Sequence, residues 1–456
     1  MEELKKIIDY IKKQQILNKG VEILFQIYKK HDFYLVGGTI RDIILNKDPL
    51  DFDFVVYGSG IKGAKIFGEK MKGKFILLSE KDDEARVVAY KTIFDFKGLN
   101  KKTIIADLSE RDFTINAIAF SFKENKLLDP FKGIKDLKNK KIRLTNDFVL
   151  HQDPLRILRA IRFASQLGFK IDKKILEISK EISLQEVAKE RINYELFQIL
   201  ATDKSYAYIK KLYDLKLLAQ IFSINSSFFD DKYLIRHSLK TYKKIEEIIA
   251  TQEFFGQFQK EWEEYFSIPH SKEILKLAGL FHDVAKPLTI KKNENGEIHF
   301  YGHEAVGARL IKKVFKNLKF SNDDIHHITN LVFYHMRLHL LASAPILTDR
   351  AIRRFFRDLK NYAFGLMILT YADGYATAGY TKHLEKTIKR MIELKRKEEE
   401  EKKKIKLISG YDLIDLGLKP GPIFKKILHE IENLFLEGKI KNKEEAITYV
   451  KENYLS

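Results

Sequence analysis

Asp51 and Asp53 stand one residue apart in a short apolar segment. Side chains alternate along a β-strand, so a strand over this segment directs both carboxylates to one face of a sheet. Two neighbouring carboxylates repel each other unless a cation lies between them. Mg²⁺ suits the arrangement, because it binds through one or two carboxylates together with oxygens of a substrate phosphate. The spacing favours metal-dependent chemistry at phosphate, whereas an isolated Asp-x-Asp is more often a surface turn.

A glycine pair precedes these aspartates and adds to the phosphate interpretation. Gly37 and Gly38 follow an apolar segment and stand at the predicted start of a helix that includes Arg41. Glycines allow backbone N–H groups to approach a triphosphate, and a helix N-terminus favours negative charge. Gly-Gly, Arg and Asp-x-Asp within one strand–helix–strand unit are together more specific than any of them alone.

A third group of polar residues follows a helical spacing. Asp153, Arg156, Arg159 and Arg162 recur every three residues and therefore lie along one side of a predicted helix. Three arginines on an otherwise apolar helix are costly unless they meet phosphate or carboxylate. The alternative is a ladder of surface ion pairs.

A second candidate site is built from histidines and aspartates in helical sequence. The members are His237, His282, Asp283, His303, His335 and Asp373. Imidazoles and carboxylates that converge from several helices suit a divalent metal that activates water. A single His-Asp pair is usually structural, so the prediction depends on the whole set.

The elements that carry these residues change in type along the chain. Strand-like segments are predicted at 33–36, 51–56, 74–78, 85–90 and 102–105, and from about residue 150 the pattern is helical nearly to the end. Strands followed by helices predict an α+β head joined to an all-α remainder. The predicted divisions are a head at 1–145, a neck at 146–225, a helical domain at 226–385 and a tail at 386–456.

Composition narrows the class of partner. The chain has 456 residues, no Cys and a net charge of +19. This excess favours a polyanionic partner, because Lys and Arg neutralise phosphates; a Lys-rich thermophile surface is the alternative. No apolar run is long enough to span a bilayer, and we expect a cytoplasmic protein without a membrane partner.

Five ordered sequence blocks resemble the class II tRNA nucleotidyltransferases and their bacterial poly(A) polymerase relatives. The blocks are Leu35–Asp42 with Asp51–Asp53, Arg111–Ala117, Asp129–Gly133 with Asp136-Leu137, Asp153–Phe163, and Glu190–Ile192. The resemblance implies a mixed-sheet, polymerase-beta-like head followed by a helical neck, body and tail. It also implies that Asp51 and Asp53 bind catalytic Mg²⁺ and that a tRNA 3′-hydroxyl attacks the α-phosphate of CTP or ATP.

The resemblance further implies which residues hold the nucleotide. They are Gly38, Arg41, Arg111, Asp112, Asn116, Asp153, Arg156, Arg159 and Arg162. In the family, the acid and the first arginine of the fourth block act as a protein template for the base, and Asp153 and Arg156 match them. Cytosine and adenine both present an amine beside a ring acceptor, so this pair implies selection of CTP and ATP. Arg159 and Arg162 would hold phosphates or brace the helix.

This sequence departs from the family pattern at two positions. Gln152 stands where the family usually has Glu, and Glu110 stands where it usually has the first of two arginines. The first departure bears on how the template pair is oriented, and the second removes a positive charge near the triphosphate. A third catalytic carboxylate, usual for this class, is not identifiable from the sequence.

The histidine–aspartate set resembles the HD phosphohydrolase superfamily. Some tRNA nucleotidyltransferases carry such a module, which implies a second divalent metal and hydrolysis of phosphates at RNA 3′ ends. A scaffold that keeps the fold without activity is the alternative.

Several functional readings stay open at this point. The chain could add all of CCA, only CC or only A, and the compact stretch between Asp53 and Arg111 slightly favours a partial activity. A poly(A) polymerase shares the head motifs. An RNA phosphohydrolase with a binding-only head and a non-catalytic RNA-binding protein are alternatives of other classes.

Overall fold

The computed structural model describes residues 2–99, 102–224, 226–405, 407–436 and 439–455. The first part is the predicted α+β head. Its helices are α1 Glu2–Lys13, α2 Gln15–Ile27, α3 Gly37–Ile44, α4 Gly60–Met71, α5 Ile104–Glu110 and α6 Gly133–Lys138. Its strands are β1 Phe33–Val36, β2 Phe52–Val56, β3 Lys74–Ser79, β4 Glu84–Ala89, β5 Thr92–Gly98, β6 Ala119–Ser121 and β7 Lys126–Leu128.

These seven strands form one mixed sheet in the order β3-β4-β5-β2-β1-β6-β7. Strand β2 pairs parallel with β5, and the other neighbours pair antiparallel. Phe54, Phe94 and Phe96 are buried on one face of the sheet, where Phe67 of α4 packs against the last two. The aspartates between these phenylalanines therefore point to the opposite face.

The remainder is helical, as predicted. Its helices are α7 Val149–Gln152, α8 Arg156–Leu167, α9 Lys173–Ile178, α10 Lys189–Leu200, α11 Tyr206–Asp214, α12 Leu217–Phe222, α13 Ser226–Asp230, α14 Lys232–Thr251, α15 Gln259–Phe266, α16 Ser271–Phe281, α17 His303–Asn317, α18 Asn322–Ser343, α19 Asp349–Leu359, α20 Ala363–Ala378, α21 Lys382–Ile405, α22 Gly410–Asp415, α23 Pro422–Leu436 and α24 Lys443–Tyr454. Two short strand pairs interrupt it, namely β8 Lys141–Ile142 with β9 Lys170–Ile171, and β10 Lys291–Lys292 with β11 Ile298–His299. The α+β fold class is therefore confirmed.

The strand predicted at 102–105 is wrong. Thr103 is the N-cap of α5, and its hydroxyl accepts a hydrogen bond from the Ala106 N–H at 3.2 Å. A Thr N-cap satisfies one of the free N–H groups in the first turn of a helix. This cap outweighs the β-like composition of Ile104 and Ile105.

Backbone contacts divide the chain into two compact units. The first comprises residues 1–251 and 270–332, and the second comprises residues 252–269 and 333–456. Head and neck thus belong to one unit, and the fourfold division at 145, 225 and 385 stays a prediction. None of the helices in the described ranges is both long enough and apolar enough to cross a lipid bilayer.

Candidate active site

Every head and neck residue predicted to bind metal or nucleotide lines one cavity in the first unit, with a volume of about 880 Å³. The sheet supplies its floor and helices α8 and α10 supply one wall. Cationic side chains from the head and the neck face carboxylates of the sheet across this space. Such a cavity suits a nucleoside triphosphate with bound divalent cations.

Three carboxylates meet at the sheet. Oxygen atoms of Asp51, Asp53 and Asp95 all lie within 4.8 Å of one another. Asp95 lies on β5, directly beside Asp53 in the parallel pairing with β2. Arg86 on β4 donates to both Asp95 oxygens at 2.7 Å, which holds the carboxylate in one orientation. The group has the oxygen donors and the spacing that a divalent cation requires.

The electrostatics of this carboxylate group also fit a cation. Burial and the neighbouring Asp51 raise the pKa of Asp53 to about 7, against the opposing influence of Arg111. Burial and Asp95 likewise raise the pKa of Asp51. Three crowded carboxylates without a cation resist ionisation, and a bound cation removes that penalty.

Asp95 is the functional candidate that sequence reasoning missed. Phe94-Asp95-Phe96 repeats the Phe52-Asp53-Phe54 pattern, with an aspartate between two phenylalanines on an alternating strand. That repetition was a usable signal. The parallel pairing that brings the two segments together was not visible in the sequence.

The glycine turn allows the head to close around these carboxylates. Gly37 has φ +68°, and a Cβ at this position would lie 2.6 Å from Arg111 Nη1 and 3.4 Å from Asp53 Oδ2. Only glycine combines this left-handed backbone with so close an approach. Arg111 forms an ion pair with Asp107. Burial alone would raise the pKa of Asp107, but Arg111 and Lys97 lower this pKa below its usual value.

Arg41 begins a polar network that continues into the neck. Its guanidinium donates to both oxygens of Asp42 at 2.8 and 2.9 Å and to Asn116 Oδ1 at 2.7 Å. Asn116 donates to Asp112 Oδ1 at 2.9 Å, and Arg159 of α8 donates to Asp112 Oδ2 at 2.8 Å. Asp112 is buried, yet these partners lower its pKa against the effect of burial.

The network ends on Glu195 of α10, which is buried. Arg162 Nε lies 2.9 Å from one oxygen of Glu195, and Arg159 lies 3.5 Å from the other. The guanidinium groups of Arg41, Arg159 and Arg162 also approach the ring of Phe163, at 4.4 to 5.5 Å from its centroid. Of the two roles expected for Arg159 and Arg162, the geometry favours bracing the helix.

The predicted template pair lies at the start of α8. Asp153 accepts from Arg191 at 2.7 Å and from the Leu155 N–H at 3.2 Å. Arg156 donates to the carbonyl oxygens of Val149 at 3.2 Å and Glu110 at 2.9 Å. A guanidinium has five N–H donors, so Arg156 retains capacity for a base.

The two departures from the family pattern have different surroundings. The Glu110 carboxylate pairs with Lys102 Nζ at 2.6 and 2.9 Å, so Lys102 offsets its charge. Its backbone oxygen supports Arg156. Gln152 is exposed at the end of α7. Arg191, which lies in the fifth sequence block, donates to the Asp153 carboxylate. The sequence motif alone did not indicate this contact.

Four of the predicted histidine–aspartate residues meet in the first unit. His237 Nε2 lies 3.1 Å from His282 Nε2 and 3.7 Å from Asp283 Oδ2, while His303 Nε2 lies 3.3 Å from Asp283 Oδ1. The Nδ1 atoms of His282 and His303 face the carbonyl oxygens of Gly279 and Phe300 at 3.0 and 2.7 Å. Carbonyls only accept, so both Nδ1 atoms donate, and in the neutral ring the Nε2 atom is then the one that accepts a hydrogen bond or binds a metal.

The other two predicted members of this set, His335 and Asp373, lie in the second unit. There Asp373 Oδ2 is 2.7 Å from His339 Nε2, a histidine that the sequence reasoning did not select. His339 stands one helical turn after His335 on α18, a spacing that places both on one side of the helix.

Comparison with known proteins places this site in a family context. A family model described as "Poly A polymerase head domain" matches residues 33–143, "Probable RNA and SrmB- binding site of polymerase A" matches 168–227, and "tRNA nucleotidyltransferase domain 2 putative" matches 305–450.

Similar proteins carry related names. The chain is 28% identical over 424 residues to a "CC-adding tRNA nucleotidyltransferase" of Synechocystis sp., covering 92% of each chain. It is 30% identical over 307 residues to a "Multifunctional CCA protein" of Shewanella frigidimarina, covering 68% of this chain and 70% of that one. A solved structure of the Thermotoga maritima CCA-adding enzyme complexed with tRNA has the same fold, with a TM-score of 0.61, 22% identity and coverage of 96% and 95%.

Proposed function

The chain belongs to the class II tRNA nucleotidyltransferases of the CCA-adding type, and we propose that the cavity of its first unit transfers CMP from CTP to the 3′ end of tRNA. The observation that carries this proposal is the group of Asp51, Asp53 and Asp95 facing the cationic neck across one cavity. A cytoplasmic location is part of the proposal.

The chain's own residues have distinct parts in the proposed reaction. Asp51, Asp53 and Asp95 would hold Mg²⁺, whose chemistry when bound is to lower the pKa of a hydroxyl and neutralise charge on phosphate oxygens. Arg111 and the backbone at Gly37 and Gly38 would orient the triphosphate. The tRNA 3′-hydroxyl would give its proton to solvent while its oxygen bonds to the α-phosphorus; the bond from that phosphorus to the oxygen bridging to the β-phosphate breaks, and pyrophosphate leaves.

Base selection would fall to Asp153 and Arg156. An Asp carboxylate accepts from the exocyclic amine and an Arg donates to the ring acceptor beside it, a pattern that cytosine and adenine share. Arg191 would keep the Asp153 carboxylate in place through its 2.7 Å contact. Uracil and guanine present the reverse donor and acceptor order and leave this pair unsatisfied.

Within the family, we propose the CC stage of the reaction. The connection from β3 to β4 is a tight turn, and most of the described residues between Asp53 and Arg111 are in helices and strands joined by short turns. A long loop of the kind associated with switching from CTP to ATP has little room there. The similarity to the CC-adding enzyme of Synechocystis sp., which covers 92% of each chain, supports the same choice.

A ladder of tRNA substrates tests this proposal. Transcripts ending at the discriminator base, in C and in CC are each incubated with labelled CTP or labelled ATP. We expect two C additions to the first transcript, one to the second and none to the third, with no incorporation from ATP. Addition of A to the CC transcript would contradict the CC assignment, and long A tails would favour the poly(A) polymerase alternative.

The histidine–aspartate group supports a second candidate activity, hydrolysis of phosphates at RNA 3′ ends. His237 Nε2 and His282 Nε2 lie 3.1 Å apart, and because His282 Nδ1 donates to the Gly279 carbonyl, its Nε2 is the atom placed to bind a cation. The Asp283 carboxylate lies 3.7 Å from His237 Nε2 and 3.3 Å from His303 Nε2. His237, His282, Asp283 and His303 would therefore hold a divalent metal.

The double variant His282→Ala with Asp283→Ala separates the two activities. We expect it to lose bound metal, measured by elemental analysis, and any hydrolysis of an RNA 2′,3′-cyclic phosphate, while C addition is retained. Hydrolysis that persists in the variant would exclude this group as the site. Wild-type protein that binds no divalent metal here would favour the inactive scaffold.

A further inference from the structure

Helix α17 carries a basic face that the proposed reaction does not use. Arg309, Lys312, Lys313 and Lys316 are all exposed, and they fall within about 100° around the helix axis at 3.6 residues per turn. The opposite side of α17 is buried and packs into the first unit. Lys319, just beyond the helix, extends the exposed basic face.

This basic face has no acidic counterpart in the part of the chain that the structure describes. Among the described residues, none of these five cations has a carboxylate oxygen within 4.0 Å. Some cations on other helices are paired with carboxylates, for example Arg353 with Glu398 at 2.6 Å and Arg396 with Glu261. Like charges three and four residues apart on a helix repel each other, so a bound polyanion would stabilise this face.

The two ends of α17 lie beside elements of the two candidate sites. His303 begins the helix and contacts Asp283 of the histidine–aspartate group. Beyond the other end of the helix, Asn193 of α10 donates to the Lys319 carbonyl at 3.1 Å. Helix α10 also carries Arg191, which holds Asp153 of the proposed template. From His303 to Lys319 the chain spans about 24 Å at 1.5 Å per residue.

We propose that the basic face of α17, formed by Arg309, Lys312, Lys313, Lys316 and Lys319, binds backbone phosphates of the tRNA substrate. Lysines are flexible point charges that neutralise phosphates without reading bases. A surface that must accept every tRNA needs this kind of contact. The inference rests on the proposed function for the identity of the RNA, and on the charge and exposure of α17 for the surface itself.

The triple variant Lys312→Gln, Lys313→Gln and Lys316→Gln tests the proposal by tRNA binding in the absence of CTP. We expect at least about a tenfold rise in Kd at low salt. Affinity falls with salt, and the magnitude of the slope of log affinity against log salt concentration should decrease by about 2 to 3. Each lost phosphate contact reduces this magnitude by about 0.7 to 0.9. At saturating tRNA, kcat and the KM for CTP should stay unchanged.

Two matched variants control for charge and for folding. Lys62→Gln, Lys65→Gln and Lys70→Gln remove the same charge from the exposed side of α4 in the same unit, and should leave Kd nearly unchanged. Replacing the three α17 lysines by arginine keeps the charge and should preserve binding. The proposal is overturned if the α17 glutamine variant matches the α4 variant in both Kd and salt slope. Failure of the wild-type protein to add nucleotides would instead contradict the proposed function, because the binding measurement does not depend on catalysis.

Discussion

The carboxylate of Asp95 has the least freedom of the three that meet at the sheet. Arg86 donates to both of its oxygens at 2.7 Å, and the β2–β5 pairing sets it beside Asp53. Groups that orient a metal ligand without touching the metal commonly change metal affinity by about 10- to 100-fold when removed. Arg86 is therefore a positioning residue for the proposed metal site.

Replacing Arg86 by Gln should raise the Mg²⁺ concentration needed for half-maximal transfer by about tenfold or more. The loss should be largely recovered at high Mg²⁺, since the three carboxylates remain. Asp95→Asn should lower kcat itself, because a proposed ligand is lost. Mg²⁺ titrations of C addition separate the two effects, and an unchanged Mg²⁺ dependence in both variants would remove Asp95 from the proposed site.

The raised pKa of Asp53 predicts a pH dependence of metal binding. Without metal, burial and Asp51 keep the proton on Asp53 up to about pH 7. A metal ion must displace that proton, so its apparent affinity weakens as the pH falls below this pKa. Half-maximal Mg²⁺ should rise by up to about tenfold per pH unit below about pH 6.5 and level off above about pH 7.5. Equal Mg²⁺ requirements at pH 6 and pH 8 would contradict this expectation.

At the scale of elements, α3, α8 and α10 are joined by one polar network. It runs from Arg41 through Asn116, Asp112 and Arg159 to Glu195. A buried charge left without its partner destabilises a protein by about 3 to 5 kcal/mol. We therefore expect Glu195 to hold helix α8, which begins beside the proposed template pair, in position, although Glu195 is not part of the proposed metal site.

Glu195→Ala should speed amide hydrogen exchange in α8 and α10 by about a hundredfold, since it leaves two arginines in the network without their buried acid. Exchange measured by mass spectrometry resolves these helices individually. Glu190→Ala is the matched control, because Glu190 is exposed on the same helix. Equal protection in the two variants would show that the network does not stabilise the neck.

Local patterns predicted the elements around Gly37 and Asp51, because the glycine turn and the alternating strand are both encoded within a few residues. Thr103 shows where composition misleads: one capping hydroxyl begins a helix in strand-like sequence. Asp95 and Glu195 were not predictable in their roles, because each depends on an element distant in sequence. Asp95 needs the parallel β2–β5 pairing, and Glu195 needs α10 to pack on α8.

At the scale of the whole molecule, two groups of cationic residues in the first unit contribute to the net charge of +19. Part of it faces the carboxylates of the active-site cavity and part lies on the exposed face of α17. The first unit also holds four members of the histidine–aspartate group. The same compact unit thus carries the proposed transferase site, a proposed hydrolase site and a proposed RNA-binding surface.

Transfer of labelled CMP to a tRNA transcript that ends at the discriminator base tests the central claim most directly. We predict that wild-type protein extends this transcript by two C residues and that Asp51→Ala with Asp53→Ala abolishes extension. Asp82→Ala, an exposed aspartate on the β3–β4 turn, should retain full activity as the matched control. C addition that survives in the Asp51→Ala, Asp53→Ala variant would contradict the account.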